Sequence, residues 1–178
     1  MFISVSVTKL EFRRVFRWTL KNLLDSSLTA KKLTALFPAE LQQTVKHGVQ
    51  ELLFNAIEHG ALNIGWDEKT KLKKNFTKYE KEISKRLNLP EYSSQTICIS
   101  YIETKIDITF RIKDHGQGFN WKPFLQGDVT EIKRKQNHGK GITMSQKLSF
   151  ENITYNEIGN EVTCIIDKRK LSKENRYE

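Results

Sequence analysis

Three short stretches combine residue types that can do chemistry with spacings that bring them together. In ELLFNAIEHG, residues 51–60, Glu51, Asn55 and Glu58 recur at intervals of four and three. On an α-helix that spacing puts them on one face opposite Leu53 and Ile57, with His59 adjoining. Asn55 offers a neutral carbonyl oxygen, a hard ligand that suits magnesium and leaves coordination positions for triphosphate oxygens and water. Glu51, one turn earlier, is placed to orient or deprotonate a nucleophile. In IKDHGQGFNW, Asp114 ends a β-like run, and Gly116 and Gly118 can take backbone conformations closed to other residues. A carboxylate at that point can accept a hydrogen bond from the adenine amino group and repels guanine, which presents a carbonyl there. In NHGKGI, Gly139 and Gly141 bracket Lys140 just before a helical run, a geometry that offers backbone N–H groups and a positive helix end to phosphate.

Each pattern alone also describes ordinary structure. An amphipathic helix carries Glu and Asn on its wet face, a strand often ends in an Asp-Gly turn, and a glycine pair can simply start a helix. The four histidines, His47, His59, His115 and His138, have no metal-ligand spacing, so no structural zinc is expected. The two cysteines, Cys98 and Cys164, sit inside β-like runs and read as buried thiols.

The elements that must hold these residues follow from periodicity. ISVSV alternates like a strand, and Leu10, Val15, Phe16, Trp18, Leu23 and Leu24 then recur at helical spacing. Pro38 marks the start of a second helix with Leu41, Val45, Val49, Leu52, Leu53, Ala56 and Ile57 on its apolar face, ended by Gly60. This helix carries Glu51 and Asn55. A third, charged helix turns Leu72, Phe76, Tyr79, Ile83 and Leu87 inward and ends near Asn88 and Pro90. QTICISYI and KIDITFRIK predict antiparallel neighbours joined near residues 103–105 and leading into DHGQGF. The polar, aperiodic stretch from Asn120 to Lys140 reads as a loop or lid. A helix at Ile142 to Leu148, a strand at Asn152 to Tyr155, a turn holding Gly159 and a closing strand EVTCIID follow; the tail KRKLSKENRYE should fray. Helices gathered in the first half and strands in the second predict an α+β fold, a two-layer sandwich whose mostly antiparallel mixed sheet is covered on one face by helices.

At 178 residues and 38% apolar, the chain is expected to form one domain over residues 1–178. No apolar run is long enough for a bilayer span and no signal peptide is evident, so cytoplasmic localisation is expected, without membrane partners. A formal net charge of +9, from 30 Lys and Arg against 21 Asp and Glu, favours an anionic partner. Much of the excess lies in KTKLKKNFTKYEKEISKR, where Lys78, Glu82 and Arg86 fall at i,i+4 spacing. That mixture of signs reads as a solvated helix face rather than a nucleic-acid surface.

In their order and separation the three motifs resemble those of the GHKL superfamily, the ATP-binding domains of histidine kinases, gyrase B and MutL. ELLFNAIEHG looks like its N box, DHGQGF like its G1 box and HGKGI like its G2 box, and the likeness covers roughly residues 40 to 167. The resemblance implies a Bergerat-type ATP-binding fold with ATP and Mg2+ as ligands. It puts Asn55 on magnesium and Asp114 on the adenine amino group, with Gly116, Gly118 and His59 around the pocket. Gly139, Lys140 and Gly141 meet phosphate beneath a lid at about 120–140, and Thr163 in EVTC completes the adenine pocket. Residues of about 67–90 form a charged helical insertion.

The nearest likeness is to the anti-sigma-factor serine/threonine kinase group, whose members are small and share the N-A-x-E/x-H-G pattern; Phe54 stands where those kinases usually have Ser or Thr. This implies an ATP-dependent regulatory protein that phosphorylates a small antagonist and binds a sigma factor or response-regulator module, with a homodimer among its states. Glu51 is the base in this reading, and Lys133, Arg134 or Lys135 a lid cation. Only about one helix fits ahead of the N box, so the phospho-acceptor hairpin of a sensor kinase is not expected. Two alternatives are a nucleotide-gated protein-binding module without phosphotransfer and a basic nucleic-acid-binding protein using the third helix.

Overall fold

A computed structural model describes residues 2–8, 11–19, 26–125 and 140–169, with side chains for 29–125 and 141–169. Six strands, β1 (Phe2–Thr8), β2 (Glu11–Thr19), β3 (Thr96–Glu103), β4 (Asp107–Lys113), β5 (Asn152–Tyr155) and β6 (Glu161–Asp167), form one sheet in the order β1-β2-β3-β4-β6-β5. Every described pairing is antiparallel, so the expected mixed sheet is antiparallel throughout these strands.

Alternation builds the interface with the helices. Ile97, Ile99 and Tyr101 of β3, Ile108, Phe110 and Ile112 of β4, and Val162, Cys164 and Ile166 of β6 are all buried. They face α1 (Ser26–Thr34) and α2 (Ala39–Asn55), which contributes Leu41, Val45, Val49, Leu52 and Leu53. Phe37, in the turn between those helices, wedges its ring against Tyr101 and Phe110 at centroid distances of 5.3 and 5.5 Å. The opposite sheet face is polar: Arg111 and Lys113 pair with Glu161 across β4 and β6. Cys164 is buried on the helical face and Cys98 half-buried on the other, so these free thiols cannot meet. The expected α+β sandwich is present.

Three expectations about the elements need correction. Residues 11–19 form a strand, not a helix: their register places Phe12, Phe16 and Trp18 opposite Glu103, Ile99 and Ile97, a period of two, and pairing with β1 and β3 on both sides decides between the periods. Leu10, Leu23 and Leu24 lie outside the described residues. The charged insertion is a pair of helices, α3 (Trp66–Lys73) and α4 (Phe76–Leu87), because Asn75 breaks the run and caps α4 by accepting the Lys78 amide at 3.1 Å. Phe76, at the first position of α4, is therefore 70% exposed rather than inward. The third concerns the solvated charges. Arg86 of α4 donates to the carbonyls of Leu62 and Asn63 at 2.8 Å each and pairs with Glu68 and Glu82, which ties the insertion to the end of α2.

A short turn, α5 (Pro90–Ser93), leads from α4 to β3. Of the expected lid, residues 120–125 are described and include α6 (Lys122–Leu125); residues 126–139, with Lys133, Arg134, Lys135, His138 and Gly139, lie outside the description, as do the Lys140 side chain and residues 170–178. The final helix, α7 (Lys140–Leu148), packs along α2. Its end is fastened where Ser149 Oγ accepts the Gly48 amide at 3.1 Å and donates to the Thr44 carbonyl at 2.9 Å. Among the described residues no helix is long and apolar enough to cross a membrane.

Candidate functional site

The last turn of α2 does not continue as an α-helix. Residues Ala56–Ala61 form a π-helical turn, closed by the Leu62 amide donating to the Ile57 carbonyl at 2.8 Å, five residues back. The wider turn rotates everything beyond Asn55 away from regular helical positions. Glu58, expected to share a face with Glu51 and Asn55, turns inward and is 3% exposed. There it pairs with Lys69 and accepts the Tyr79 hydroxyl, so it secures α3 and α4 against the turn. Burial and this hydrogen bond raise the Tyr79 pKa.

Asp114 ends β4 directly against that turn. A Cβ on Gly60 would lie closer than 3.0 Å to the Asp114 carboxyl, and one on Gly116 would lie 2.5 Å from the Gly60 carbonyl oxygen. Only bare backbone at these two points lets helix end and strand end touch. Gly118 has a φ of 75° and meets the turn between β5 and β6, where the Phe119 amide donates to the Ile158 carbonyl at 2.9 Å. Gly116 therefore supplies room, and of the expected glycine pair only Gly118 supplies a left-handed conformation.

Between α2 and the sheet lies a cavity of about 210 Å³. Its apolar wall comes from Leu52, Ala56, Ile64, Ile112, Phe119, Tyr155 and Val162, and its polar groups from Asn55, His59, Asp114 and Asn160. Asp114 is 8% exposed, and its Oδ1 accepts the Gly116 amide at 2.8 Å. Burial pushes its carboxyl up to about 6, against the opposing pull of backbone hydrogen bonds. Because the folded pKa exceeds the unfolded value of 3.8, this group's contribution to stability is complete below pH 4 and is lost as pH rises through 6. Asp114→Asn, which imitates the neutral acid, should thus gain up to about 3 kcal/mol over wild type between pH 4 and pH 7. Urea unfolding of both proteins across that range checks this, and a difference that stays flat with pH refutes it.

Asn55 and Trp66 stand at the boundary with a second cavity of about 720 Å³, which Glu51, Lys69, Lys73 and Gly141 also line. Glu51 is exposed at the start of α7, and a Cβ on Gly141 would collide with its Oε2. Residues from all three sequence motifs are thereby brought together: Glu51 with Gly141, and Asn55 between them and the end bearing Asp114. His59 lines the first cavity with both ring nitrogens engaged. Nδ1–H donates to the Ile64 carbonyl at 2.6 Å, which leaves Nε2 as acceptor toward the Lys69 ammonium 3.5 Å away. Burial first, then Lys69, lowers its pKa to about 4, so the ring is neutral at neutral pH.

Thr163 is not brought to the cavity. Strand alternation turns it to the opposite sheet face from Val162 and Cys164, where it accepts the Arg111 guanidinium at 3.2 Å. Asn160 takes that wall instead. Its Nδ2 donates to the Gly116 carbonyl at 3.2 Å, and its own carbonyl accepts the Asp114 amide at 3.0 Å. Sequence reasoning also missed Trp66, whose ring packs on His59 at a centroid distance of 3.8 Å, and the aromatic contact of Phe119 with Tyr155 at 5.2 Å. The signals were a lone indole opening a charged segment and an Asn directly after the turn glycine.

A helical layer thus covers one face of the sheet in an α+β sandwich, and a ligand-sized cavity between the layers opens past Asn55 into a wider chamber. The family model described as the histidine kinase-like ATPase domain matches residues 22–166, and the chain belongs to that family, a family of ATP-binding domains. No curated protein matches the chain.

Proposed function

We propose that this chain is one cytoplasmic domain that binds Mg-ATP across the two cavities and acts as a serine/threonine kinase on a small antagonist protein, binding a sigma factor or response-regulator module as its regulatory partner. The observation that carries the reading is the single track from Asp114, in the apolar cavity, past Asn55 to Glu51 and Gly141 in the wider one. Adenine fits the first end, where its amino group donates to the Asp114 carboxylate and its rings lie among apolar side chains. The triphosphate lies in the second, near the N-terminus of α7, whose backbone amides favour anions.

Asn55 offers a neutral oxygen donor beside a water-accessible cavity, a donor that suits magnesium and leaves Glu51 free as a base. When bound, the ion neutralises charge on the phosphate oxygens. Glu51 accepts the proton of the attacking serine hydroxyl as its oxygen bonds to the γ-phosphorus and the bond to the β–γ bridging oxygen breaks, releasing ADP. His59 and Glu58 keep the cavity in shape and carry no proton for this step, since each is held by fixed partners.

Titration with Mg-ATP, Mg-GTP and ATP plus chelator tests the nucleotide assignment. Wild type should prefer ATP over GTP and require magnesium for full affinity. Asp114→Asn should lose roughly tenfold to a hundredfold in ATP affinity, because a donor replaces one acceptor facing the amino group. An Asp114→Asn protein that is folded and binds ATP like wild type defeats the adenine assignment.

A further inference from the structure

The insertion helix α3 supplies a wall of the outer cavity, although neither its composition nor the motifs mark it as part of a site. Trp66, Lys69, Thr70 and Lys73 line the cavity opposite Asn55, Glu51 and Gly141. Their spacing of three, four and seven is one helix stripe, so α3 turns one face to the cavity.

Lys69 on that stripe is held as a surface lysine seldom is. Its side chain is 15% exposed, its ammonium pairs with the Glu58 carboxylate and lies 3.5 Å from His59 Nε2, and it stands 5.9 Å from the centroid of the Trp66 ring. An ammonium can donate three hydrogen bonds, and this one is held by its ion pair with Glu58 and its approach to His59 Nε2. His59 can accept only while neutral, and burial keeps it so. Glu58 is in turn fixed by Tyr79 of α4. Four groups from the π-turn, α3 and α4 thus immobilise one cation at the rim of the chamber that holds Asn55. Lys73, one turn on, is exposed, with its Nζ 5.7 Å from the Tyr79 ring centroid.

We propose that Lys69, assisted by Lys73, binds the β- and γ-phosphate oxygens of the nucleotide, so that the charged insertion is a functional part of the ATP site. The inference rests on the nucleotide reading given above. Lys69 keeps its ion pair with Glu58 and gives an N–H to phosphate, which costs little rearrangement because the ammonium is already largely desolvated and held in place. Lys73 adds charge from a more mobile position.

Calorimetric titration of adenosine, ADP and ATP into wild type, Lys69→Met, Lys73→Met and Lys71→Met separates phosphate contact from base contact. Lys71 is exposed on α3 and does not line the cavity, so its variant controls for the loss of one positive charge. Lys69→Met should weaken ATP by about tenfold to a hundredfold while adenosine affinity stays at the wild-type value. Lys73→Met should weaken ATP several-fold and Lys71→Met not at all. Removing Lys69 alone leaves Glu58 buried without its cation, so the double variant Glu58→Gln/Lys69→Met, which keeps an acceptor for Tyr79, is titrated beside it. ATP affinity equal to wild type in both Lys69 variants overturns the inference, as does an equal loss for adenosine and ATP. A wild type that binds neither adenosine nor ATP overturns the nucleotide reading itself and this inference with it.

Discussion

Glu51→Ala is expected to leave Mg-ATP affinity within a few-fold of wild type while phosphoryl transfer, or ATP hydrolysis in the absence of a protein acceptor, falls by roughly 10² to 10⁴. Binding and chemistry separate at this residue because of where it stands. Glu51 is exposed, lines the outer cavity rather than the one that holds Asp114, and lies against Gly141 at the start of α7. Removing a carboxylate beside phosphate also removes a repulsion, so affinity can rise slightly. Glu58 and His59 cannot replace it: the first is buried on Lys69 and Tyr79, the second neutral and bonded through both nitrogens. Paired measurements of ATP affinity and of labelled phosphate transfer check the result. Full activity in Glu51→Ala removes it as the base, and a wild type that neither transfers nor hydrolyses favours a nucleotide-gated binding module.

Gly60→Ala should cost ATP affinity roughly 10²-fold or more, at least the loss of Asp114→Asn, although it removes no side chain from the cavity. The new methyl would have to occupy space already taken by the Asp114 carboxyl. Either the carboxyl moves or the π-turn lifts from β4, and both displace the acceptor from the cavity while straining a packed contact at about 1–3 kcal/mol. In a regular helix interior the same substitution would stabilise by up to about 1 kcal/mol. The sign of the stability change therefore distinguishes the close approach from ordinary helix propensity. A Gly60→Ala protein that is more stable than wild type and retains ATP affinity contradicts the packing described here.

The strands after residue 95 and the α2 face were legible because burial imposes their periods directly: β3, β4, β5 and β6 alternate buried positions with half-buried or exposed ones, and α2 buries Leu41, Val45, Val49, Leu52 and Leu53 as its pattern requires. The strand at Glu11–Thr19 was not, because Val15, Phe16 and Trp18 satisfy helical as well as strand spacing over so short a run, and pairing with distant β3 decides between them. Asn55 lines both adjoining cavities, with Asp114 in one and Glu51 and Gly141 in the other. The inward turn of Glu58 was not legible, since a widened turn is invisible to a count that assumes 3.6 residues per turn. Thr163 misleads by one step of strand alternation, and Asn160 holds the wall through hydrogen bonds between loops far apart in sequence. Lys69 was hidden for another reason: its role depends on α3 folding back over the end of α2, which Arg86 enforces from twenty-four residues beyond Leu62.

The widened turn at Ala56–Ala61 also sets the charge balance of the chamber it adjoins. Had α2 continued as a regular helix, Glu58 would lie two turns beyond Glu51 on the same face instead of pairing with Lys69. With Glu58 turned inward and paired to Lys69, two carboxylates, Glu51 and Glu58, balance the two ammonium groups of Lys69 and Lys73 at this chamber. The balance is even in number and uneven in mobility: Lys69 is held inside by its counter-ion, while Glu51 and Lys73 are exposed and can move with a ligand.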